Sequence, residues 1–206
     1  MIYENVIIGI GAKIGENVII GEPPRGTKPG ELKTIIGNNA VIRSGTIIYA
    51  GNKIGDNFQT GHHTTVRENN TIGNNVSLGS HSSIEHSTTI GDNVRFHSYV
   101  FVPEYCKIHN DAWLGPRVTL TNTPYPLAPN AKEVMKEKAI IIKEKAIIGA
   151  GSIILPGVII GSKSFIGAGS VVTKSTEPEL VYIGNPACEM QSIYDLGEEG
   201  IRPYQK

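Results

Sequence analysis

The chain has 206 residues, enough for one domain with a sizeable core. Its 19 Lys and Arg balance its 19 Asp and Glu, so the charge favours neither nucleic acid nor an anionic membrane. Cys106 and Cys188 make no disulfide framework, and no apolar run approaches the roughly 20 residues of a membrane span.

The opening MIYENVIIGIGAKIGEN has neither the basic start nor the unbroken apolar core of a secretion signal, so a cytoplasmic protein is expected. The many glycines, few aromatics and dominant Ile and Val read as strands and turns. A first apolar stretch ends on Ile20. The next apolar start is due six residues on, where Gly26 stands, and EPPRGTKPGELKT reads as a loop over about 22–34.

From Ile36 an aliphatic residue then recurs every six positions: Ile42, Ile48, Ile54, Val66, Ile72, Leu78, Ile84, Ile90, and on through Phe96, Val102, Ile108 and Leu114 to Leu120. Only Thr60 breaks the series with a polar side chain. The frame then fails at Pro126. After TNTPYPLAPNAKEVMKEKAII, a second loop over about 122–141, it resumes from Ile142 through Ile148, Ile154, Ile160 and Ile166 to Val172. A helix needs a period of 3.6 and a simple strand a period of 2, and six fits neither over this length.

Four residues after each start the side chain is small or compact, with Asn52, Phe58 and Asn70 as exceptions. Gly, Asn and Asp follow the starts, as in IGNN and IGDN, where they suit the backbone angles of a corner. Each hexapeptide is therefore a short strand plus a corner. Three close a triangular coil of 18 residues, and coils stack by parallel pairing about 4.8 Å apart. About eight coils make a prism roughly 40 Å long. The 18-residue count sends both loops out from one corner, where a site is commonly built. The AKEVMKEK segment of the second loop reads equally well as a solvated charged stretch.

The [LIV]-G-x-x-x-x pattern over about residues 6–190, with the closing IIGAGSIILPGVIIGSKSFIGAGSVVTKSTEPELVYIGNPACEM, resembles the hexapeptide-repeat acyltransferase family. The resemblance implies a left-handed parallel β-helix over 1–187 and a C-terminal tail over 188–206. It also implies a homotrimer, with acetyl-CoA bound in the groove between subunits. The usual right-handed crossover preference would argue for the opposite hand. WLGPRVTLTNTPYP and the loop after it look like the sugar-nucleotide N-acetyltransferases, which act on the amino group of a nucleotide-linked amino sugar. On that likeness Asn122 falls in a TN dipeptide beside the substrate-contacting arm.

Acetyl transfer from a thioester to an amine needs a proton acceptor, donors for the tetrahedral oxyanion, and reactants held together. His86 is the first candidate base. It lies two residues after a start, with Glu68 one coil before it and Glu104 one coil after, then Asn122. A carboxylate one rung away orients an imidazole and favours its charged form. HSTTIGDNV also resembles the HxxxIGDxV string of bacillosamine- and sialic-acid-type amino-sugar acetyltransferases, although their extra N-terminal sugar-binding domain has no counterpart here. His97, in VRFHSYVFV, is the second candidate, as base or thiol anchor. His63 and His81 are one coil apart and are expected to stack. His109 replaces a corner glycine and reads as structural.

For the donor, Gly149, Ala150, Ala168 and Pro186 look like the family's coenzyme A groove. Lys174 matches a position facing coenzyme phosphates, and Gly115, one coil on from His97, is an expected oxyanion donor. No metal is expected on this reading. A competing one keeps the fold and makes a γ-class carbonic anhydrase-like metalloenzyme of it. His81 and His86 have that class's H-x-x-x-x-H spacing before IGD, but the third ligand is out of place and VIRSG lacks an Asp. A non-catalytic β-helix scaffold is the remaining class.

Overall fold

The computed structural model describes residues 1–204. Two-residue rungs alternate with four-residue corners and wind a left-handed parallel β-helix. Its three faces are parallel sheets. Face I runs from Val6–Ile8 to Ile159–Ile160, and face II from Lys13–Ile14 to Phe165–Ile166. Face III runs from Ile19–Glu22 to Val171–Val172. Faces I and III have eight strands each, as the count of about eight coils requires. In the uninterrupted coils each residue pairs with the one 18 later, as Thr71↔Thr89 and Thr89↔Lys107 show.

Within a rung the second residue points inward. Ile36, Ile54, Ile72, Ile90 and Ile108 form one buried column. The exceptions at the fourth position are buried too. Phe58 fills the core, while Asn52 and Asn70 bond to backbone groups of neighbouring coils. Thr60 is satisfied by accepting from the Arg43 N–H at 3.0 Å and by Thr46 Oγ1 at 3.1 Å.

The corner chemistry differs from expectation. Except at Gly21, where the first loop departs, the glycine right after a start has ordinary backbone angles. It is needed because the next coil lies against it: a Cβ on Gly91 would stand 2.2 Å from Asn110 Oδ1 and 2.8 Å from Asn110 N. The left-handed backbone comes two residues later and is taken mostly by Asn and other side-chain-bearing residues, as at Asn57, Asn75 and Asn93. These asparagines bond along the corner between faces I and II, Asn57 to Asn75 at 2.9 Å and Asn75 to Asn93 at 3.0 Å.

Both loops leave the corner between faces III and I. The first folds back on the N-terminal segment, where Asn5 Nδ2 donates to Gly30 O at 3.0 Å. The second carries a short helix, α1 (Ala131–Glu137), so AKEVMKEK is helical in part. The tail is more structured than one turn. Leu180–Gly184 and Ala187–Ser192 form an antiparallel hairpin on the end of face II, so the expected 187/188 boundary falls inside its second strand. Beyond it, Ile193 and Tyr204 pack with Val181 against Ile147 and Phe165.

Candidate functional site

The corner between faces III and I stacks Glu68, His86, Glu104 and Asn122 on successive coils. His86 Nε2 lies 4.0 Å from Glu104 Oε1, and Asn122 Nδ2 donates to Glu104 Oε2. On the other side of the ring, Nδ1 lies 3.1 Å from Ser87 Oγ, and Tyr105 meets the ring edge-on at 5.4 Å between centroids. The imidazole is half-buried and held on three sides. Thr123, next to Asn122, has a buried hydroxyl with no partner among the described residues.

Upstream on this corner, Arg67 grips Glu68 through two nitrogens at 2.9 and 3.0 Å and lies over the Tyr49 ring. It also reaches Glu85 at 3.4 Å. Burial raises the Glu85 carboxyl above the ordinary range and the Glu104 charge adds to this, while Arg67 opposes both. Sequence reasoning missed Arg67 and Glu85. Their signal was the same one-coil spacing that found Glu104.

The remaining expected residues lie elsewhere. His97 sits on the corner between faces II and III, edge-on to Trp113 at 5.1 Å. That corner also holds Gly115, Gly149, Ala150 and Ala168, with Pro186 in the hairpin turn below them. Lys174 follows Val171–Val172 and is exposed at the opposite edge of face III, on the His86 side. Within one chain, then, the base candidate and the small-residue groove flank face III rather than meet.

Gly115 is a correction. Its N–H donates to Ile148 O at 2.8 Å in the coil ladder and is not free for an oxyanion. Gly149 is committed likewise, to Ile166 O at 2.7 Å. The N–H groups of Ala150 and Ala168 have no partner among the described residues.

His63 and His81 belong to a separate column. His63 stacks on His81 at 5.3 Å, His81 on Tyr99 at 5.0 Å, and Arg117 lies over Tyr99 at 5.8 Å. His81 and His86 thus stand on different corners. Among the described residues of the chain, no three of His, Cys, Asp and Glu converge on one point. Cys106 is buried behind the Glu104 corner, and burial pushes its thiol up to about 12, which leaves it unreactive. None of the helices of the described residues is long and apolar enough to cross a membrane.

The bacterial transferase hexapeptide (six repeats) family matches residues 69–104 and 139–174. Galactoside O-acetyltransferase of Lactococcus lactis subsp. lactis (strain IL1403) is 34% identical over 90 residues, which is 43% of this chain and 44% of that protein. The chain thus aligns with less than half the length of that relative. Among solved structures, a variant of GDP-perosamine N-acetyltransferase from Caulobacter crescentus, in complex with CoA and GDP-perosamine, is similar. Its TM-score is 0.48 at 22% identity, over 69% of this chain and 57% of that one. Francisella novicida UDP-N-acetylglucosamine acyltransferase gives 0.45 at 21% identity, over 99% and 73%.

Proposed function

We propose that this chain, which belongs to the hexapeptide-repeat transferases, is an acetyl-CoA-dependent acetyltransferase acting on the amino group of a nucleotide-linked amino sugar. One observation carries the reading: the His86 imidazole stands 4.0 Å from a carboxylate that Asn122 in turn fixes. A histidine held this way suits general-base work on an amine.

In the proposed reaction the amine nitrogen attacks the thioester carbonyl while His86 takes the proton it sheds. The C–N bond forms and the tetrahedral intermediate collapses. The C–S bond then breaks, and the proton passes from His86 to the departing thiolate. No covalent acyl-protein is needed, in keeping with an inert Cys106. The unpaired N–H groups of Ala150 and Ala168 suit the pantetheine arm, and Lys174 and Pro186 would flank the donor at either side.

A single chain keeps the groove and the base apart, and this supports a homotrimer. A neighbour's II/III corner would then close on this chain's III/I corner. The outward rung positions of face III support the same view: Ile19, Ile47, Thr65, Ser83, Phe101, Thr119, Ile153 and Val171 include no charge, and Phe101 and Ile153 are each 38% exposed.

The likeness to galactoside O-acetyltransferase favours a second acceptor, a sugar hydroxyl, which the same base would serve. The test is acetyl-CoA turnover with nucleotide-linked amino sugars and with neutral galactosides, by the natural chain and His86→Ala. The variant should lose roughly 10²–10⁴ in kcat with unchanged acetyl-CoA affinity. Retention of full turnover would move the base to His97, and absence of acetyl-CoA binding would remove the reading.

A further inference from the structure

A cleft of about 280 Å³ lies between the end of α1 and face I, directly beside His86. Its floor is three successive rungs in register, Thr89, Lys107 and Ile141. Ser87 and Tyr105 form the wall toward the corner, and both touch His86. Lys136, Glu137 and Ala139 close it from the second loop.

The cleft therefore gathers two ammonium groups and three hydroxyls with one carboxylate. Neither Lys107 nor Lys136 has an ion-pair partner among the described residues, although Glu137 lines the same space. Two like charges left unpaired around one cleft repel each other, and a polyanion entering it relieves that repulsion. A neutral sugar needs hydroxyls and carboxylates as partners and gives two lysines nothing to neutralise.

We infer that Lys107 and Lys136 clamp the phosphate groups of the acetyl acceptor and so select a phosphorylated sugar over a neutral one. The inference rests on the proposed acetyltransferase reading. In a nucleotide-linked 4-amino sugar the diphosphate on C1 and the amine on C4 sit on opposite sides of one ring. An acceptor anchored on the two lysines thus carries its amine toward the Ser87–Tyr105 wall and His86.

Calorimetric titration of the full chain with inorganic pyrophosphate tests the clamp. The natural chain should bind it, more weakly as salt rises. Lys107→Ala and Lys136→Ala should each lose roughly tenfold in affinity. Lys53→Ala, on the same face three rungs away, should lose none, and acetyl-CoA binding should be unchanged in all three. Pyrophosphate bound equally by the lysine variants, or not bound by the natural chain, overturns the inference.

Titration with a nucleoside diphosphate and with a hexose 1-phosphate separates the two sources of phosphate. Tighter binding of the first assigns a nucleotide-linked acceptor. Tighter binding of the second keeps the clamp and assigns a simple sugar phosphate. Pyrophosphate binding through the lysines without acetyl-CoA binding keeps the clamp and removes the transferase reading. Turnover of a nucleotide-linked amino sugar with an unchanged KM in both lysine variants does the reverse.

Discussion

Asn70 ties neighbouring coils together at the III/I corner. Its Oδ1 accepts the Thr88 N–H at 2.6 Å, and its Nδ2 donates to Arg67 O at 2.8 Å. Both Asn70 and Thr88 are 1% exposed. Arg67 O also receives Asn52 Nδ2 at 2.8 Å and stays satisfied without Asn70. The Thr88 N–H has no second acceptor among the described residues. Asn70→Ala therefore orphans one buried donor, at about 1–3 kcal/mol. The void left by the amide adds about 0.5–1 kcal/mol. A total of about 1.5–4 kcal/mol lowers Tm by roughly 3–16 °C in a chain of this size. Thermal and urea unfolding followed by circular dichroism measure it. Thr88 is two residues from His86, so turnover should fall while acetyl-CoA affinity holds. A loss under about 0.5 kcal/mol, the level of an exposed substitution, would refute the argument by showing that water reaches the Thr88 N–H.

Gly91→Ala presses a methyl into Asn110 of the next coil and should cost about 1–3 kcal/mol in urea unfolding, although its backbone angles suit alanine. Glu85 gives a pH signature. Its folded pKa is raised by burial, so the native state holds the proton longer than the unfolded chain, and stability falls as pH climbs above the usual carboxylate range. Glu85→Gln should therefore raise Tm at neutral pH and leave it unchanged in acid. A lower neutral Tm would mean that the Arg67 pair outweighs burial.

The histidine ladder was legible because in a solenoid sequence distance is spatial distance. Eighteen residues are one rung, so counting alone stacks His86, Glu104 and Asn122, and likewise His63 on His81. The same arithmetic sent both loops out of one corner. It failed where the chain leaves the repeat. Nothing periodic told that the first loop turns back to Asn5, that the second carries α1 over the His86 cleft, or that the tail adds a hairpin to face II.

The sequence by itself determined the rung, the corner and the columns, since period and register are local properties that every coil repeats. The tertiary structure decided which backbone amides remain free. It showed Gly115 committed to Ile148 and Ala150 unbonded, because a ladder bond depends on the carbonyl of the next coil. It also decided why the corner glycines are glycines. The constraint there is the approach of a neighbouring coil, a contact between residues far apart in the chain, and no local propensity encodes it.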